Sequence, residues 1–109
     1  MKKIIDKWGT IHYYNENNQL HREDGPAIEY EFGTKYWYKN GLRHREDGPA
    51  REYSTGDKEW YKNDLLHRED GPAVECINGE KDYWYNDIEY PEIKTDEEWK
   101  KIVKLIIFI

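Results

Sequence analysis

The heptapeptide His-Arg-Glu-Asp-Gly-Pro-Ala stands three times without change, at 21–27, 44–50 and 67–73. Successive copies start 23 residues apart both times. A short fixed period means one supersecondary unit stacked on copies of itself, so the chain is an array punctuated by the heptapeptide. Aligned on a glycine, the units open Gly9-Thr-Ile-His-Tyr-Tyr, Gly33-Thr-Lys-Tyr-Trp-Tyr, Gly56-Asp-Lys-Glu-Trp-Tyr and Gly79-Glu-Lys-Asp-Tyr-Trp. The first unit carries one extra residue in its loop, Asn15-Glu-Asn-Asn-Gln19, where the second has Lys39-Asn-Gly41. An insertion at a turn costs little closure entropy and leaves the phase intact.

Each unit divides the same way. Runs such as Lys58-Glu-Trp-Tyr-Lys62 have the aromatic composition and length of a strand. Asn40-Gly41 is a strong hairpin-turn signal, with Asn63-Asp64 and Asn86-Asp87 as weaker versions at the same place. The heptapeptide follows, and a second strand is expected after its proline, over 27–31, 50–53 and 73–77. Two strands per unit predict a mainly β fold: a single elongated antiparallel meander of about eight strands. An N-terminal strand or arm over 1–8 starts the sheet.

Composition is needed to decide whether such an array folds. Apolar residues make up 37% of the 109, and charged residues another 37%. A disordered chain has a similar balance, but five Trp and ten Tyr supply large amphipathic groups that disordered segments lack. The prediction is one thin folded domain with a core of aromatic plates. The net charge of −6 weakens roles on a phosphate backbone or an anionic membrane. The lone Cys76 excludes an intramolecular disulfide framework and a cysteine-based zinc cluster, and it fits a reducing compartment. Lys2 and Lys3 are followed by only two isoleucines before Asp6, which is no signal peptide, and the apolar tail from Leu105 is far too short for a membrane span. A soluble cytoplasmic protein is expected.

The aromatic positions form two rows. Tyr13, Trp37, Trp60 and Tyr83 align, and so do Tyr14, Tyr38, Tyr61 and Trp84. Neighbours on a strand face opposite sides, so each sheet face is expected to receive one row. One row can stack as core; the other is either covered, which makes both rows structural, or is the candidate partner-binding surface. After Asn86-Asp87 the heptapeptide gives way to Glu89-Tyr-Pro-Glu-Ile93, and the period changes. Thr95-Asp-Glu-Glu98 reads as a capping box, and Trp99, Ile102, Val103, Ile106 and Ile107 form one helical stripe. The chain thus divides into a repeat array over 1–94 and an amphipathic helix over 95–109. That helix is expected to cap the array, or else to offer a dimer surface.

In the heptapeptide, glycine is expected to supply an unusual backbone conformation. Proline would fix φ, aspartate would bond nearby amides, and alanine would start a strand where room is short. His21, Arg22, Asp24, His44, Arg45, Asp47, His67, Arg68 and Asp70 are read as a structural ladder, with an arginine such as Arg45 reaching acidic residues in the loop before or after it. A histidine beside carboxylates also suggests a metal site or acid–base chemistry. Three identical copies favour one structural job done three times, since a catalytic centre needs one constellation with distinct roles. There is no phosphate-binding glycine loop and no nucleophile elbow. The expectation is therefore no enzyme, no metal and no cofactor.

These residues resemble a known family. A 23-residue unit with an aromatic strand, an Asn-Gly turn and a loop histidine is similar to the MORN repeat, and Trp37-Tyr-Lys-Asn-Gly-Leu-Arg-His44 carries the likeness best. The chain departs from that pattern after the histidine, where Arg-Glu-Asp-Gly-Pro-Ala replaces the family's glycines, so it resembles a variant type found in phage, giant-virus and bacterial proteins. The likeness covers residues 9–90. It implies a twisted antiparallel sheet that binds proteins and, in some relatives, lipids; the acidic charge disfavours lipids here. By the same resemblance, the expected partner is a host protein, with a defence nuclease such as a CRISPR effector as the specific version. The alternatives are single-stranded nucleic acid stacked on the aromatic rows beside repeated Lys and Arg, and a purely structural scaffold. No membrane partner is expected, and the oligomeric state is a monomer or a homodimer through the helix.

Overall fold

The structure, a computed structural model, describes residues 1–108. Residue 109, the expected helix end, lies outside them. The protein is mainly β. Strands β1 (Lys2–Ile5), β2 (Ile11–Tyr14), β3 (Ile28–Glu29), β4 (Lys35–Tyr36), β7 (Arg51–Glu52), β8 (Lys58–Glu59), β11 (Val74–Glu75) and β12 (Lys81–Asp82) form one eight-stranded antiparallel meander in that spatial order. The predicted strand count is therefore right, although the strands are shorter than the sequence suggests.

Three further hairpins stand beside the sheet. They are β5 (Tyr38–Lys39) with β6 (Leu42–Arg43), β9 (Tyr61–Lys62) with β10 (Leu65–Leu66), and β13 (Trp84–Tyr85) with β14 (Ile88–Glu89). In the last three units the aromatic run does not continue as one strand, whereas in the first β2 runs unbroken through Tyr13 and Tyr14 against β1. The Trp37 N–H donates to the Ala50 carbonyl at 2.7 Å, which extends the main sheet, while its own carbonyl accepts the His44 N–H at 3.2 Å and closes the hairpin. Trp60 does the same with Ala73 and His67. The pairing partner switches at this residue. In those three units the two aromatic positions consequently straddle a junction between sheet and hairpin, while Tyr13 and Tyr14 are consecutive in β2.

Turn chemistry explains both edges. On the sheet's outer edge, Gly9, Gly33, Gly56 and Gly79 have φ of 82°, 106°, 100° and 94°. Each closes a three-residue turn onto the carbonyl three residues back, as in Gly56 N–H to Tyr53 O at 2.9 Å. Glycine adopts this left-handed conformation without a Cβ clash. The side hairpins use two-residue turns with positive φ at both positions: Asn40 and Gly41 (49° and 82°), Asn63 and Asp64 (49° and 71°), Asn86 and Asp87 (46° and 70°). That conformation matches the right-handed twist of short strands, and Asn, Asp and Gly tolerate it best.

Unit joins unit by the same bonds each time. The Arg22, Arg45 and Arg68 N–H groups donate to the Tyr38, Tyr61 and Trp84 carbonyls, each at 3.3 Å. Gly41, Asp64 and Asp87 donate backbone N–H groups to Leu20, Arg43 and Leu66. The backbone N–H groups of Asn40, Asn63 and Asn86 donate to Nδ1 of His21, His44 and His67 at 2.9, 3.0 and 3.0 Å. Nδ1 is thus the acceptor, which puts the proton of the neutral ring on Nε2. Nε2 in turn faces Glu23, Glu46 and Glu69 at 2.9, 2.7 and 3.4 Å. His67 is buried and also meets the Tyr85 ring edge-on at 4.5 Å. Replacing His67 with Ala strips the Asn86 amide of its acceptor and is expected to cost about 1–3 kcal/mol. A urea titration checks this.

The core is small and lies at one end. Helix α1 (Asp96–Ile107) starts at the predicted capping box: Thr95 accepts the Glu98 N–H, and Glu98 accepts the Thr95 N–H. Asp96, Glu97 and Glu98 place negative charge in its first turn, where the helix dipole favours it. Trp99 and Val103 are buried with Tyr83 and Ile93, while Tyr85, Tyr90 and Ile102 pack around them. The helix therefore caps the last unit. Its final turn is bare, with Leu105, Ile107 and Phe108 exposed.

Candidate functional site

The heptapeptide folds on itself around its arginine. Arg45 Nε donates to Asp47 at 3.0 Å, and Nη1 donates to the Pro49 carbonyl at 3.1 Å and to Glu52 at 3.4 Å. Arg22 and Arg68 make the same set with Asp24, Pro26 and Glu29, and with Asp70, Pro72 and Glu75. Each guanidinium also lies over the first aromatic of its own unit: Arg22 over Tyr13 at 4.1 Å, Arg45 over Trp37 at 3.8 Å, Arg68 over Trp60 at 3.9 Å. Such a contact adds about 0.5–1 kcal/mol to the charge-assisted bonds. The expected reach of these arginines into neighbouring loops does not occur. Spacing between units is set by the backbone and the histidines instead.

This clamp gives the motif glycine a different reason from the expected one. Gly25, Gly48 and Gly71 are not among the residues with positive φ. A Cβ on them would stand 3.1, 2.9 and 3.0 Å from the arginine Cζ. The glycine is there for room. Ala27, Ala50 and Ala73 have no exposed surface, as the shortage of space at the strand start predicts.

The arginines are largely covered in this clamp, whereas the aspartates that accept from them stay open to solvent. The side chains of Asp24, Asp47 and Asp70 are 83%, 86% and 78% exposed. The loop tips thus form an acidic rim repeated along the array. The His44 hydrogen bond, with Lys62 nearby, holds the Glu46 carboxyl below the usual carboxylate range.

Between successive loops lie two equivalent clefts. The first, about 620 Å³, has the 22–26 loop on one side, Trp37 and Tyr38 at its base, and His44 to Asp47 on the other side. The second, about 500 Å³, repeats it one unit on, with the 45–49 loop, Trp60 and the 67–70 segment. The third position in the series is filled by the chain itself. The Trp99 indole Nε1 donates to the Arg68 carbonyl at 2.8 Å, and its ring packs on Tyr83 at 5.5 Å and Tyr90 at 5.3 Å. Tyr83 is the counterpart of Trp37 and Trp60, and the fourth unit has no motif arginine to cover it. Gly71 is buried there, whereas Gly25 and Gly48 are only half-buried.

All eight row residues are at least half-buried, with Tyr61 and Tyr83 buried. In the second row, Tyr61 lies under Arg43 at 4.3 Å and donates to Glu59, and the Tyr38 hydroxyl accepts from Arg51. Tyr14 stacks with His12 at 6.3 Å, and the buried indole N–H of Trp84 has no partner among the described residues. Two features escaped the sequence. Tyr30, Tyr36 and Tyr53 pack edge to face at 5.4 and 5.9 Å, with Arg51 over Tyr36 at 4.5 Å. Tyr30 and Tyr53 lie one period apart, but Tyr36 and Arg51 do not recur: the counterparts of Tyr36 are His12, Glu59 and Asp82, and those of Arg51 are Ile28 and Val74. The second feature is a cleft of about 780 Å³ at the first units, edged by Trp8 and Phe32, which are 69% and 68% exposed. Its signal was present, since each of these apolar residues sits in a turn just before a unit glycine.

Tyr53 and Tyr83 give the array an alkaline limit. Burial pushes both hydroxyls up from 10.0 to about 12, reinforced by hydrogen bonds to Glu59 and Asp96, with Arg51 opposing at Tyr53. The folded state holds these protons more tightly than the unfolded chain. Their contribution is therefore complete below pH 10 and is lost as the pH rises from about 10 to about 12. The double variant Tyr53→Phe/Tyr83→Phe should flatten the fall in melting temperature over that range.

Among the described residues, no group of three or more His, Cys, Asp or Glu is placed to hold a metal ion, and no helix is long and apolar enough to cross a membrane. Fold and surface together define an antiparallel β-repeat array with an acidic loop edge and a helical cap. No family model, no curated protein and no solved structure matches the chain.

Proposed function

We propose that this chain is a non-enzymatic protein-binding repeat module whose contact surface is the face of the motif loops. The row of two open clefts under an acidic rim carries this reading, because it is a repeated, concave, aromatic-based surface flanked by exposed carboxylates. Support also comes from the histidines. Both ring nitrogens of each are engaged, Nδ1 by the next unit and Nε2 by the glutamate of its own loop, which leaves neither free as base or ligand. Nucleic acid is the weaker reading, since the motif arginines are spent on aromatic faces and carboxylates stand where phosphates would approach. The resemblance to variant MORN repeats makes one version specific: an inhibitor that occludes a host defence protein such as a CRISPR effector nuclease.

Affinity capture from the lysate of the host cell tests the reading with three baits. The wild-type chain should retain a stoichiometric partner. Asp24→Asn/Asp47→Asn/Asp70→Asn, which keeps an amide oxygen for each arginine, should weaken retention, and Trp8→Ser/Phe32→Ser should not. The reverse pattern moves the contact to the outer turn edge, and no stoichiometric partner for any bait overturns the proposal.

A further inference from the structure

Trp99 is an intramolecular ligand in a cleft that the array repeats. In the third position its indole N–H meets the Arg68 carbonyl, while among the described residues no group donates to the equivalent carbonyls of Arg22 and Arg45. Both open clefts therefore keep the acceptor that the filled one uses. We infer that the two open clefts take a partner α-helix that presents one tryptophan, its indole N–H on the Arg22 or Arg45 carbonyl as that of Trp99 is on Arg68, next to lysine or arginine. The inference rests on the protein-binding reading and names its occupant.

The sign of the partner's charge follows from differences among the three positions. Asp96 at the start of the chain's own helix is held by the Tyr83 hydroxyl at 2.7 Å. Trp37 and Trp60 have no hydroxyl there, so an acidic first turn loses that bond in the open clefts. It would instead face Glu23, Asp24, Glu46 and Asp47 on the rim. A basic helix complements those carboxylates. Trp37 and Trp60, the counterparts of Tyr83, are themselves covered by Arg45 and Arg68 in the open units. About a fifth of each arginine side chain remains exposed, at 21% and 22%, and offers the incoming indole a cation at its edge.

The test titrates the full chain with stapled helical peptides, read by calorimetry and by amide and indole N–H NMR shifts. The first peptide carries the sequence of residues 95–104, and the second replaces its three acidic residues with lysine. The basic peptide should bind at two sites and shift the Gly25, Gly48, Trp37 and Trp60 signals. Changing its tryptophan to alanine should weaken binding about thirtyfold, as for an anchor residue at an interface centre. Asp24→Asn/Asp47→Asn in the protein should weaken it about threefold per site. The acidic peptide should bind less tightly than the basic one. Binding indifferent to the tryptophan, or shifts confined to the Trp8 and Phe32 edge, overturns the inference. So does no binding at millimolar peptide. If the peptide fails while lysate capture still depends on the loop carboxylates, protein binding stands and the helical tryptophan falls; if both fail, both fall.

Discussion

Trp99→Ala is expected to cost about 3–5 kcal/mol, the range for deleting a fully buried large aromatic side chain. Trp99 has no exposed surface and is the largest member of the buried hydrophobic cluster found among the described residues. The substitution leaves a cavity between Tyr83, Tyr90 and Val103, strips the Arg68 carbonyl of its donor, and frees the helix from the last unit. Whole stabilities of small domains are only about 5–15 kcal/mol, so this loss is a large fraction. Because each unit contacts mainly its neighbours, damage should begin at that end. Hydrogen exchange should show protection lost first over α1 and the β13–β14 hairpin, with the 28–52 region protected longer. Equal loss everywhere would mean that the array unfolds as one unit and that the cap holds all of it.

Gly48→Ala should cost about 2–3 kcal/mol, far more than a methyl group at an unstrained backbone position normally would. The added Cβ would stand 2.9 Å from the Arg45 Cζ. The guanidinium has nowhere to yield, since it is held by Asp47, Pro49 and Glu52 and lies on the Trp37 ring. A double-mutant cycle separates this clash from any backbone effect. In an Arg45→Ala background, Gly48→Ala should be close to neutral, and strict additivity of the two substitutions would refute the clamp. Chemical denaturation of the four proteins supplies the numbers.

The architecture was largely legible in the sequence. The 23-residue period, the Asn-Gly and Asn-Asp turns, the unit glycines and the capping box at Thr95 are local signals, and each is matched by a local structure. What was not legible depends on which neighbour a group chooses. Trp37 has the composition of a strand residue whether it pairs on one side or two, so the switch from Ala50 to His44 is invisible in a single chain. Arg45 had acidic residues available within its own loop and in the loops either side. It takes its own because Asp47, Pro49 and Glu52 are already close in sequence and hold the fork over one ring. Gly48 was assigned a conformational role because glycines after aspartate usually have one. The competing cause, a side chain packed where a Cβ would be, leaves no mark on the sequence. The candidate site was half visible: the loop residues and aromatic rows were named, but the clefts between them exist only once the units stack.

The joins between units have a consequence for how the chain's length is chosen. Every interface uses the same three kinds of bond, and the histidine link always spans 19 residues, from His21, His44 and His67 to Asn40, Asn63 and Asn86. Nothing in such an array counts its members. Duplicating or excising one 23-residue segment within the three identical heptapeptides preserves these three kinds of bond and changes how many clefts stand before the Trp99 cap. The reach of the surface is thus a copy number, open to adjustment by recombination between identical stretches, while the terminal helix stays fixed as the stop.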